Sequence, residues 1–299
     1  LTLSGGNVTA GALRFALNTT SHGTVNLNSG VLLTAEVSEG TGSGGAHLNF
    51  NGGTLRASAA NSSFFSGLDA GDVQLLAGGG TIDTNGHNIG IATAIQGAGS
   101  LTKTGTGTLT LSGASTYTGD TTISAGTLHL ANSNNIVSSN LITVSSGGTL
   151  TAANFQVGNA GTGSVALSGG TISITGESYV GLNNPGEATI TSGTWTSGGA
   201  LYIGRGGSSG TLALSGGSLS AIASTIAGAG LDTGSGSATV SGGTWTTTNV
   251  FNVGYSGVGE LTVSGGTVTA AELRLGNEAT GAGTVNLDGG VIATAALVR

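Results

Sequence analysis

The chain has 299 residues, of which 60 are Gly and one is Pro; 37% are hydrophobic, 6% are charged, the net charge is −7, and neither Cys nor Met occurs. Gly is at about three times its usual share but keeps no every-third register, which excludes a collagen triple helix. Six basic residues in a net acidic chain exclude the basic stripe that a nucleic-acid partner needs, and no apolar run reaches the roughly 18 residues of a membrane helix.

The hydrophobic residues fall in short alternating runs, the pattern of half-buried strands rather than of disorder. The lack of Cys removes disulfides as a source of rigidity and suits a chain exported unfolded, which a disulfide would obstruct. The chain opens at Leu1 without Met, starts and stops inside its own repeat and carries no signal peptide. It is therefore expected to be a piece of a longer protein.

In chain order, Leu1-Thr-Leu-Ser-Gly-Gly6 sets a pattern of aliphatic alternation, a Gly pair and a β-branched run. It returns at Leu48-Asn-Phe-Asn-Gly-Gly53, Val165-Ala-Leu-Ser-Gly-Gly170, Leu212-Ala-Leu-Ser-Gly-Gly217, Leu261-Thr-Val-Ser-Gly-Gly266 and Val285-Asn-Leu-Asp-Gly-Gly290. The second glycines stand at 6, 30 and 53, then at 148, 170, 193, 217, 243, 266 and 290. A period of about 23 residues is the signature of a solenoid.

Residues 1–53 read as regular coils and 54–96 as irregular ones. Within the latter, Asn61-Ser-Ser-Phe-Phe-Ser-Gly-Leu68 reads as a loop or bulge carrying two aromatics. Gly78-Gly-Gly-Thr-Ile-Asp83 and Asn85-Gly86 are turn signals. Residues 131–299 return to regular coils. There, each coil holds three short strands: Ser164-Val-Ala-Leu-Ser168, then Thr171-Ile-Ser-Ile-Thr175, then Ser178-Tyr-Val-Gly181. The middle strand aligns Ile172, Trp195, Leu219, Trp245, Val268 and Ile292 as one column with Thr, Ser or Ala neighbours, which predicts an inward hydrophobic ladder with outward polar flanks. The fold class is all-β, a single-stranded parallel β-helix (β-solenoid), with residues 1–299 forming one continuous stack of about 11 to 13 coils at the interstrand spacing.

Residues 97–130 follow a denser pattern. Gly97, Gly99, Leu101, Lys103, Gly105, Gly107, Leu109, Leu111, Gly113, Tyr117, Gly119, Thr121, Ile123, Gly126 and Leu128 closely resemble the passenger-associated transport repeat of bacterial autotransporters. Ser115 stands where that family often has Asn. The flanking coils resemble the looser β-strand repeats that accompany it in large surface proteins. The resemblance implies a right-handed β-helix on the bacterial surface, with the 97–130 repeat tied to export of the passenger and holding no active site.

Candidate chemistry is sparse. Asp69 and Asp72, and Glu36 and Glu39, read as polar turns rather than as a carboxylate pair or calcium site. Gly228-Ala-Gly-Leu-Asp232 is a single echo of a calcium turn, and such turns work in series. Lys103, the only lysine, reads as a ladder end or turn contact, and Arg205 as a turn residue. His22, His47, His87 and His129 lack metal-ligand spacing. Trp195 and Trp245 read as core, with an exposed carbohydrate platform as the alternative. Asn7, Asn18 and Asn61 head glycosylation acceptor triplets, a pattern common by chance in Ser/Thr-rich chains.

The sequence thus reads as a non-catalytic structural or adhesive segment, a stiff stalk or fibre at the cell surface, with no catalytic residue, cofactor or metal. The expected partners are a host or neighbouring cell surface or its glycans, and a second copy through end-to-end association; nucleic acid and a membrane span are not expected. The alternatives are a self-assembling filament subunit, a carbohydrate-binding or carbohydrate-active β-helix, and an export module with no adhesive role.

Overall fold

The computed structural model describes residues 1–15, 21–40, 45–132, 140–230 and 232–299. The regular elements among them are β-strands, with no helix long and apolar enough to cross a membrane. The strands pair in parallel and stack as a β-solenoid with turns of about 23 residues. Residues cluster into two compact units, Leu1–Ile142 with Gly147–Leu150 and Thr143–Ser146 with Thr151–Arg299.

In the first unit, Thr2–Thr9 pairs with Gly23–Thr34, which pairs in turn with Ala46–Phe50 and Thr54–Ala57. Alternating side chains give three inward columns. Val25 stacks on Leu48 and Val73, and Leu27 on Phe50 and Leu75. Leu32, Leu55 and Ile82 form the third. All nine are essentially buried. A lone coil exposes its inner face on both sides, so burial comes only from the neighbour above and below.

The aromatic segment forms a strand, Asn61–Ser66, that bulges. Asn61 pairs with Ile89 and Phe65 with Ile91, so three residues stand opposite one. The bulge turns adjacent Phe64 and Phe65 both inward, where their rings stack at 5.7 Å. Inversion of the normal alternation is what a bulge does.

In the second unit the middle-strand column is Ile172, Trp195, Leu219, Trp245, Val268 and Ile292, each paired with the next. The first five are buried and Ile292 is half-buried. Thr194 and Thr196, and Thr244 and Thr246, face solvent on either side of the two tryptophans. Trp195 and Trp245 have no exposed surface, so the carbohydrate-platform alternative fails for them. Each donates its indole N–H to a buried hydroxyl: Trp195 to Ser178 at 3.4 Å and Trp245 to Ser224 at 3.1 Å. Phe155 and Phe251 pack against their rings.

Several coils fuse their runs into one bent strand, as in Gly186–Ile203. The bends fall at register shifts, between Ser168 and Thr171 and between Ser197 and Ala200. Bulges let the chain turn while its backbone pairing continues. At the start of each coil Gly163, Gly186, Gly210, Gly236, Gly259 and Gly283 pair in an unbroken glycine column. The reason is close approach: a Cβ on Gly210 would lie 2.1 Å from the Val180 carbonyl oxygen and 2.4 Å from the Gly204 nitrogen.

Candidate functional site

Residues 97–130 extend beyond one coil, with Leu101 pairing with Thr121 and Leu109 with Leu128 in the coil that follows, and contain the motif's chemically distinctive side chains. Strand Leu101–Thr104 alternates inward and outward, and both Leu101 and Lys103 point in. Lys103 pairs with Ile82 on one side and Ile123 on the other. It therefore continues the Leu32, Leu55, Ile82 column as a lysine with no solvent exposure. Its methylene stem fills the space of an isoleucine and its ammonium reaches past it to the corner of the coil, the behaviour of an amphipathic side chain with a long apolar stem.

Four oxygens receive that ammonium. The Thr104 carbonyl lies at 2.7 Å, the Gly105 carbonyl at 2.8 Å, the Ala125 carbonyl at 3.0 Å and the Thr84 hydroxyl at 3.0 Å. Thr84 is buried too and passes a hydrogen bond to the Thr104 carbonyl at 3.1 Å. Lys103 thus ties the corner of its own coil to those of the preceding and following coils. Burial pushes its pKa down to about 8, against the opposing pull of the Asp83 carboxylate.

Asp83 is itself held in place. Its Oδ2 accepts from Arg56 Nε at 2.6 Å and its Oδ1 from the Asn85 N–H at 2.8 Å. Asn85 and Gly86 both take positive φ, of 50° and 83°, which forms the tight turn over which this network closes. Gly105 also sits at positive φ, 75°, and a Cβ there would lie 2.4 Å from both the Asn85 nitrogen and Asp83 Oδ1. Only glycine meets both demands at that position.

The remaining motif residues build the walls. Leu109, Leu111, Ile123 and Leu128 are core. Leu109 and Leu111 pair with Leu128 and Leu130 across the next coil. Gly97, Gly99, Gly107, Gly113, Gly119 and Gly126 lie against backbone of neighbouring coils, with no room for a Cβ. Tyr117 is buried and its hydroxyl lies 2.7 Å from the buried Thr121 hydroxyl. Burial drives its pKa well above the usual tyrosine range, the Thr121 hydrogen bond opposing. At the departure from the family pattern, the Ser115 hydroxyl accepts the Ile95 N–H at 3.2 Å. Thr84, Asp83 and Arg56, which complete the corner, lie outside the motif, and nothing in its spacing points to them.

The other candidates lie elsewhere. Asp69 and Asp72 close a turn on each other, the Asp69 N–H donating to Asp72 Oδ2 at 2.6 Å. Burial, then Asp72 and Asp69, raise the pKa of nearby Glu39. Glu36 lies 3.6 Å from Arg14. Asp232 faces Arg205 at 3.4 Å, and its neighbour Leu231 lies outside the described residues. His22 Nδ1 accepts the Gly45 N–H. Asn61 donates its amide to the Ala35 carbonyl; Asn18 and Thr20 of the second acceptor triplet lie outside the described residues. Among the described residues no group of three or more His, Asp or Glu is placed to hold a metal ion.

Residues 101–130 match the family model of the passenger-associated-transport-repeat. This segment carries the pattern of that repeat. No curated protein and no solved structure matches the chain. The repeat, set in a parallel β-solenoid, fits an autotransporter passenger.

Proposed function

We propose that this chain is a non-catalytic scaffold segment of a secreted or cell-surface autotransporter passenger, and that its transport repeat acts as a folding nucleus during export. The observation that carries this reading is the inward orientation and full engagement of the repeat's distinctive side chains: Lys103 spends its ammonium on four oxygens of three successive coil corners, and Tyr117 on Thr121. Such groups are used for folding rather than for turnover. Lys103 bonds its own corner at Thr104 and Gly105 and reaches the adjoining coils at Thr84 and Ala125, 19 and 22 residues away, so one side chain orders three successive corners together. In a stacked array, one coil that folds early offers a template edge to its neighbours.

The test is deletion of residues 101–120 from the full-length protein, which removes Lys103 and Tyr117 and splices at the Leu101–Thr121 register pair, with surface display measured by antibody labelling of intact cells. A deletion of residues 165–187, which splices at the Val165–Ala188 register pair, serves as the control. Display should fall several-fold for the first deletion and little for the second. Equal display of the two would remove the export role. Loss of the stiff coil without loss of cell attachment would separate the scaffold role from an adhesive one.

A further inference from the structure

The third strand of each coil in the second unit carries an outward column, Gln156, Tyr179, Tyr202, Thr225, Asn252 and Arg274, each paired with the next. Tyr179 and Tyr202 stack at 5.2 Å with an interplanar angle of 17°. Glu177 accepts from both phenols, closely from Tyr179 and at 3.4 Å from Tyr202. The Arg205 guanidinium stands 4.5 Å from the Tyr202 ring centroid and 5.5 Å from that of Tyr179, with its Nε 3.4 Å from Asp232.

At the next position the column drops from Tyr202 to Thr225. The missing bulk leaves a recess of about 380 Å³ between Tyr202 and Tyr255, lined also by Arg205, Thr225 and Asn252. Asn252 is 8% exposed; its amide N–H reaches Thr225 at 3.4 Å, and its Oδ1 has no partner. A buried carboxamide with an unused acceptor is costly to keep, and this one lines a recess of the size of small-molecule sites, about 300–1,000 Å³.

We propose that this recess binds one neutral pyranose unit of a glycan. A pyranose has an apolar C–H face and a rim of hydroxyls. Tyr202 and Tyr255 offer aromatic surface to the first; Thr225 and Arg205 offer polar groups to the second, and a small rotation of Asn252 brings its unused Oδ1, closed to solvent in this structure, onto a sugar hydroxyl. Arg205 is already balanced by Asp232, with Glu177 nearby, so an anionic sugar gains no free cation. The tyrosine stack fixes its side chains before binding, which lowers the ordering cost. This assignment does not depend on the scaffold and export reading.

The test uses the 299-residue chain, labelled with 15N, titrated with the methyl glycosides of glucose, galactose, mannose and N-acetylglucosamine. At least one should shift the Asn252 side-chain amide and the Arg205 Nε–H resonances with a dissociation constant of order millimolar. Tyr255→Ala should weaken that sugar about tenfold, a loss of roughly 1.4 kcal/mol, with the circular dichroism unchanged. Ala229→Trp, which fills the recess from its rim, should abolish binding and covers the case in which the first variant misfolds. Silence of all four glycosides overturns the assignment, as does binding that persists in Ala229→Trp. Methyl glucuronide binding tighter than the glucoside would overturn the neutral class.

Discussion

At the scale of single residues, Lys103 shows how a charge is tolerated inside a hydrophobic column. Its ammonium is removed from water, and the four oxygens around it offset that cost. Replacing it by Met keeps the stem and deletes the charge, but leaves the Gly105 and Ala125 carbonyls without this donor. Each such loss costs about 1–3 kcal/mol, so Lys103→Met should destabilise the protein by about 3 kcal/mol in urea unfolding at neutral pH. The pH dependence has the opposite sign from that of a lysine in a surface ion pair. The folded pKa, about 8, lies below the ordinary value of 10.5, so the unfolded chain binds this proton more tightly. The stability contributed by this group is flat below about pH 8 and rises from there towards 10.5. Between about pH 7 and pH 9.5 the wild type should gain roughly 2 kcal/mol relative to Lys103→Met. Parallel stability curves for the two proteins would show that the ammonium is not strained by burial. Tyr117, whose pKa is raised, titrates beyond this window and is common to both proteins.

At the scale of the coil, the same physics divides the glycines. Gly210 stands in the glycine column with the Val180 carbonyl 2.1 Å from where a Cβ would be, whereas Gly161 has nothing within 4 Å. Gly210→Ala must push adjacent coils apart and should cost about 3 kcal/mol or more; Gly161→Ala should stay within about 0.5 kcal/mol. Comparable denaturation midpoints for the two would mean that the coils slide to make room. The period of Gly pairs and the alternating runs were enough to read the stack and its middle-strand column, because side-chain direction follows from strand periodicity alone. What escaped was set by neighbours distant in sequence. The sequence reads Asn61–Leu68 as a loop or bulge, but that Asn61–Ser66 is a paired strand, with three residues facing one on Ile89–Ile91, depends on a partner one coil away. The corner around Lys103 draws on Arg56 and Asp83 from earlier coils. Tyr202 and Asn252 become one site only because the register sets them two coils apart on the same outward column. Aligned on the glycine that closes the third strand, as in Leu201-Tyr-Ile-Gly204 and Thr225-Ile-Ala-Gly228, the sequence puts Ile226 in that column; the structure puts Thr225 there, because Ala227, at positive φ, takes the place of the closing glycine.

At the scale of the whole molecule, the low charge decides how stability responds to solvent. Four ion pairs join Arg14 with Glu36, Arg56 with Asp83, Arg205 with Asp232 and Arg274 with Glu272 among the described residues. Each has at least one partner with substantial exposure, and exposed pairs, screened by water and salt, contribute little to stability. Lys103 is solvated by protein oxygens rather than by a mobile counter-ion. The columns of Leu, Ile, Val and Trp in each unit, repeated at every coil, supply most of the rest through burial. Sodium chloride acts on the first contribution and barely on the second, while sulfate strengthens apolar burial by exclusion from the surface. The melting midpoint should therefore move by less than about 3 °C between roughly 0.05 and 1 M sodium chloride, and should rise clearly in sodium sulfate of equal ionic strength. A large fall in chloride would place the stability in the ion pairs, with Arg56 and Asp83, the shortest of the four at 2.6 Å, the first to replace. A chain that holds its coils by burial and backbone pairing depends little on the ionic strength around it, as the proposed role of an exported scaffold requires.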